Sequence, residues 1–263
     1  MRTCLLTQLK QCVLLSCGTR GSVLLPLINN RSLKTANMSK VEFDSANSKG
    51  PCPGVLQGEG LDTTKGLIVL QEWWGMNDQI VAEAKMIGEN GKFKTIVPDL
   101  YRGKVATDSE TAGHLMDNLD WDGALADIAG AAKFLMSKGC KKVGVTGFCM
   151  GGALSLATAV KVSEISAAAP FYGIPDSTKY DVSTITIPVQ AHFGDKDDLE
   201  GFSSPADAEA LKGRMKDERF ELFMYPGCGH AFTNPTGPMG NYNEEQCKIA
   251  LGRMQEFMNK YLA

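Results

Sequence analysis

No uninterrupted apolar stretch of the 263 residues approaches 18, the length that a membrane-spanning helix requires. Nucleotide fingerprints are missing too: neither G-x-x-x-x-G-K-[ST] nor G-x-G-x-x-G occurs, which excludes the two commonest glycine-rich phosphate cradles. There is no CxxC pair and no Cys/His ligand spacing, so a zinc site or a disulfide framework is not expected, and a reducing compartment is the natural inference. Histidine is scarce, with three residues, which narrows any search for a general base. No basic cluster sits in the body of the chain, which argues against nucleic acid as a partner.

Residues 1–40 lack acid altogether while holding six Lys/Arg, so 21 basic residues face all 30 acids in the remainder, a net of −9. A basic, acid-free leader with Ser and Thr reads as an organelle transit peptide, mitochondrial in type. The alternative is an upstream extension with a working start at Met38 and a cytoplasmic product. A secretory signal fits less well, because Lys10, Arg20 and Pro26 interrupt every apolar run. Residues 41–263 then form a single domain, with no interdomain linker or internal repeat.

What that domain contains is an alternation of strand-like and helix-like segments. "KGLIVLQEWWG" (65–75), "KTIVPDL" (94–100), "KKVGVTGF" (141–148), "ISAAAPFYG" (165–173), "IPVQAHFG" (187–194) and "RFELFMYP" (219–226) read as strands. Between them lie helical patterns: 79–91, two over 107–139 with Asp108 or Ser109 as a cap, 150–160 and 206–216. A last helix over 243–263 repeats Cys247, Leu251, Met254, Met258 and Tyr261 on one face. The pattern predicts an α/β fold with a mostly parallel central sheet flanked by helices on both faces.

In such a sheet, ligands bind beyond the carboxyl ends of the strands. Four reactive residues fall there: Glu72, Cys149, Asp197 and His230. Cys149 stands in "GFCMG", where Gly147 and Gly151 leave room for the sharp strand-to-helix turn of a nucleophile elbow, and where a helix N-terminus favours a thiolate. A buried, inert thiol is the structural alternative. His230, in the "PGCGHAF" loop before the last helix, is placed to act as base. His114 has helical neighbours, and His192, inside a strand, is expected to be packed or locally hydrogen-bonded. Asp195 and Asp198 compete with Asp197 to orient His230, and the G-x-x-D spacing from Gly194 selects Asp197. The order nucleophile, acid, base is that of α/β-hydrolases. The backbone N–H groups of Met150 and Trp73 are the candidate oxyanion donors.

"QEWWG", "VPDLYRG", "GFCMGG", "HFGDKD" and "YPGCGHAF", in this order, resemble the dienelactone hydrolase family, whose type member is carboxymethylenebutenolidase. The likeness extends over roughly residues 50–262. It implies an α/β-hydrolase fold and a Cys149–Asp197–His230 triad. It also implies that Glu72 contacts the cysteine and helps to form the thiolate when substrate arrives. The substrate would be a small lactone or carboxylic ester, cleaved through a thioester, with neither cofactor nor metal, by a monomer or weak homodimer.

The resemblance also implies that arginines hold a substrate carboxylate. Arg102 stands one place earlier than the family's first, and Asn234 occupies the place of the second. Tyr101, Trp74, Phe171 and Tyr172 complete the expected substrate contacts, with the loop 235–240 making the pocket more apolar; ordinary core packing is the other reading of these aromatics. Three rival functions stay open on the same residues: a thioesterase or acyltransferase, a non-catalytic binding protein, and a redox sensor using Cys149 with Cys228 or Cys140.

Overall fold

A computed structural model describes residues 38–263. The expected transit peptide lies outside the described residues, except that Met38–Phe43 forms the first strand, β1, three residues before the expected domain start. The elements continue as β2 (Cys52–Gln57), β3 (Lys65–Leu70), α1 (Asp78–Gly91), β4 (Lys94–Pro98), α2 (Ser109–Asp117) and α3 (Trp121–Ser137). Then follow β5 (Lys142–Phe148), α4 (Met150–Lys161), β6 (Ile165–Phe171), β7 (Val189–Gly194), α5 (Pro205–Arg214), β8 (Phe220–Tyr225) and α6 (Glu244–Leu262).

The strands form one sheet in the order β1-β2-β4-β3-β5-β6-β7-β8. β2 pairs antiparallel with both β1 and β4, and every other pairing is parallel. β1 and β2 extend the expected sheet, and the apolar-run criterion does not find them. β1 sits at the edge with alternating exposure, and β2 opens on Cys52-Pro53-Gly54, a poor strand sequence. The central strands are continuous apolar runs because both their faces are covered: Leu67, Ile68, Val69 and Leu70 are fully buried. Each such side chain contributes roughly 1.5–3 kcal/mol on leaving water. Among the described residues no helix is long and apolar enough to cross a membrane.

Register is what builds the site. Leu70 pairs with Gly147, Phe148 with Phe171, Phe171 with His192, and Gly194 with Tyr225. The carboxyl ends of β3, β5, β7 and β8 therefore lie level along one edge of the sheet, and the segments carrying Glu72, Cys149, Asp197 and His230 leave from that edge.

Candidate active site

Cys149 lies between β5 and α4 with φ 54° and ψ −116°, a backbone conformation rare for any residue with a side chain. Neighbouring backbone enforces it. The Cys149 N–H donates to Phe171 O at 3.1 Å, and Cys149 O accepts from Ala153 N–H at 3.1 Å. The flanking glycines have no alternative: a Cβ on Gly147 would stand 2.4 Å from Gly151 O, and one on Gly151 2.5 Å from Leu70 O. The thiol is thus held at the N-terminus of α4, where unpaired N–H groups and the helix dipole favour negative charge. Neither the N–H of Met150 nor that of Trp73 has a backbone acceptor among the described residues.

His230 is 2% exposed. Its Nδ1 lies 2.8 Å from Asp197 Oδ2 and 3.1 Å from Ser203 Oγ, while Nε2 is buried with no protein partner. Burial alone would lower the imidazole pKa. The negative charge of Asp197 and its hydrogen bond, with the neighbouring Cys149 sulfur acting in the same sense, outweigh burial and hold it well above the ordinary histidine value. Asp197 is fixed in turn by the Leu199 N–H, which donates to its Oδ1 at 3.1 Å. Asp195 is used elsewhere, accepting from Gly227 N–H at 2.7 Å. The ring of Tyr172 packs edge-on against His230 with centroids 5.1 Å apart, its hydroxyl 2.6 Å from Thr233 Oγ1.

Glu72 is buried, and its Oε2 accepts from Asn234 Nδ2 at 2.7 Å. Burial raises its pKa; the Asn234 bond, the His230 charge and hydrogen bonds from Tyr172 and Trp74 partly oppose that rise. The expected Glu72–Cys149 contact is not a hydrogen bond here; Asn234 takes Oε2 of the carboxylate. Both residues instead line one narrow cleft of about 10 Å³, room for little more than a water, with Trp73, Trp74, His230 and Ala231, walled by Gly237, Pro238 and Met239.

Arg102, expected to bind substrate, does not line this cleft. Its guanidinium forms a two-pronged pair with Asp127, Nη2 to Oδ1 at 2.8 Å and Nη1 to Oδ2 at 2.9 Å. Asp127 is fully buried and also accepts from Ser45 Oγ and Asn47 Nδ2, so leaving it unpaired would strand a buried charge. Phe171 is likewise a core residue, stacked on His192 with centroids 4.2 Å apart. Tyr172 packs behind His230, and Tyr101 donates its hydroxyl to Met150 Sδ at 3.2 Å. Of the five expected substrate contacts, only Trp74 borders the cleft. His192 is a buried neutral base, its pKa pushed down to about 3 by burial and by Arg253, with Nδ1 2.8 Å from Tyr225 Oη.

Two site residues escape the sequence reading. Ser203 reaches His230 from a loop with no motif. Asn234 is visible only as a departure from an arginine, with nothing to say that it holds Glu72. A larger open concavity of about 490 Å³, lined by Trp121, Tyr180, Lys161 and Lys179 among others, contains none of these groups. Among the described residues no three His, Cys, Asp or Glu side chains are grouped so that they could hold a metal ion.

The profile of the dienelactone hydrolase family matches residues 54–262. The chain belongs to this family. Membership makes it a hydrolase of carboxylic esters or lactones. It is 35% identical to Protein usf of Aquifex pyrophilus over 181 residues, covering 64% of this chain and 77% of that one. It is 26% identical to carboxymethylenebutenolidase 1 of Cupriavidus pinatubonensis over 211 residues, covering 75% and 86%. The fold is similar to that of a dienelactone hydrolase-like promiscuous phosphotriesterase from metagenomic libraries, with TM-score 0.73, 19% identity, and coverage of 86% and 99%.

Proposed function

We propose that the chain cleaves small lactones or carboxylic esters with Cys149 as nucleophile. The observation that carries this reading is the conjunction of a strained cysteine elbow with an Asp197-anchored histidine whose Nε2 is unpartnered. In the reaction the thiolate forms a bond to the carbonyl carbon, and the oxyanion lies between the N–H groups of Trp73 and Met150. The carbonyl re-forms as the C–O bond to the leaving group breaks, and His230 gives that oxygen its proton. Water then attacks the thioester and yields a proton to Nε2 of His230. The thiolate departs, and the acid is released. Glu72, whose proton affinity is raised by burial, opposes a standing negative charge beside it and favours thiolate formation only once substrate fills the cleft.

Turnover of aryl esters, lactones and thioesters by the full chain tests the proposal. Ester or lactone hydrolysis should be abolished in Cys149→Ala and weak in Cys149→Ser. Undiminished turnover by Cys149→Ala would refute it.

A further inference from the structure

The carboxamide of Asn234 cannot turn. Its Oδ1 accepts from Thr236 N–H at 2.9 Å and from Thr236 Oγ1 at 3.0 Å, which leaves Nδ2 to face Glu72 Oε2 at 2.7 Å. A flipped amide would set its NH₂ against two donors and its oxygen against a carboxylate. The backbone of Asn234 also starts the cleft wall. Its carbonyl accepts from Gly237 N–H at 3.3 Å, and Gly237 O accepts in turn from Gly240 N–H at 3.3 Å, bracketing Pro238 and Met239. One buried side chain therefore fixes both the acid of the site and the loop that closes over it.

That donor carries no charge, and this decides what the cleft will admit. No Lys or Arg lines it among the described residues, and Arg102 has its fork on Asp127. A substrate carboxylate entering here would lose water and find no cation but the His230 imidazolium, whose charge Asp197 already answers, and would meet Glu72. If Glu72 is ionised the two repel; if it is protonated, the burial cost still stands.

We propose that Asn234 is a specificity-determining residue which restricts the cleft to esters and lactones with an uncharged acyl part, and excludes those bearing a carboxylate. The inference rests on the hydrolase reading above.

The test compares kcat/KM of the full chain for 4-nitrophenyl hydrogen glutarate and for its neutral methyl ester. These share a chain and a leaving group and differ in one charge. The wild type should favour the neutral ester at least tenfold. Asn234→Arg should shift the ratio tenfold or more towards the carboxylate, and Asn234→Asp should shift it further away. Equal or preferred turnover of the carboxylate ester by the wild type would overturn the inference and leave the hydrolase reading intact. So would a folded Asn234→Arg with an unchanged ratio. If that variant does not fold, the wild-type ratio alone decides. Turnover of neither ester would overturn the hydrolase reading, and this inference with it.

Discussion

The two ring nitrogens of His230 have different surroundings: Nδ1 is bound to Asp197 Oδ2 at 2.8 Å, and Nε2 is buried without a protein partner. A carboxylate on Nδ1 fixes the tautomer, so the free lone pair of the neutral ring lies on Nε2, the atom that exchanges protons with thiol and leaving group in the proposed reaction.

Replacing Asp197 with Asn removes the leading charge that holds the His230 proton. The alkaline limb of the kcat/KM profile should move to lower pH, and kcat should fall by about 10³–10⁴, as when the acid of a triad is neutralised. Ser203→Ala removes a neutral contact and should cost at most about tenfold, the worth of one hydrogen bond. A pH profile of Asp197→Asn superimposable on that of the wild type would contradict the assignment.

The reach of the sequence is instructive here. Glu72, Cys149, Asp197 and His230 were legible because each follows a buried parallel strand, and such strands announce themselves as apolar runs. β1 and β2 were not, because an exposed edge strand alternates with polar residues and Pro53-Gly54 disguises its partner. The partner of Arg102 was not legible for a different reason. Its position in the chain says nothing about which acid it meets, and Asp127 comes from α3, 25 residues away. Ser203 and Asn234 act through side-chain hydrogen bonds across loops, which leave no periodicity.

Arg102 should accordingly matter for stability rather than for turnover. Arg102→Ala strands the buried Asp127 carboxylate and should lower unfolding free energy by about 3 kcal/mol, the lower end for breaking such a pair. Denaturant unfolding measures that loss, while KM for a neutral ester stays within about twofold of wild type. A large rise in KM with unchanged stability would restore Arg102 to the substrate.

Glu83, on α1, is buried; its Oε2 accepts from Gln79 Nε2 at 2.7 Å, and its Oε1 has no partner. Burial, followed by the neighbouring Glu72, outweighs that bond and raises its pKa from the ordinary 4.5 to about 8. The folded state therefore keeps a proton that the unfolded chain releases. This stability is fully present below about pH 4.5 and is lost as pH rises through about 8. Melting curves should show Glu83→Gln gaining on wild type from about pH 5 to about pH 8 and levelling off above. A pH-independent difference would show that the side chain does not titrate as stated.

The sulfur of Cys149 is the atom on which the proposed chemistry turns. Rapid quenching of the full chain with a 4-nitrophenyl ester, followed by intact and peptide mass spectrometry, reads it directly. The expected result is one acyl group per chain, located on Cys149, lost at the rate of steady-state turnover and absent from Cys149→Ala. Sustained hydrolysis with no acylated Cys149, or acylation on another residue, would contradict the account.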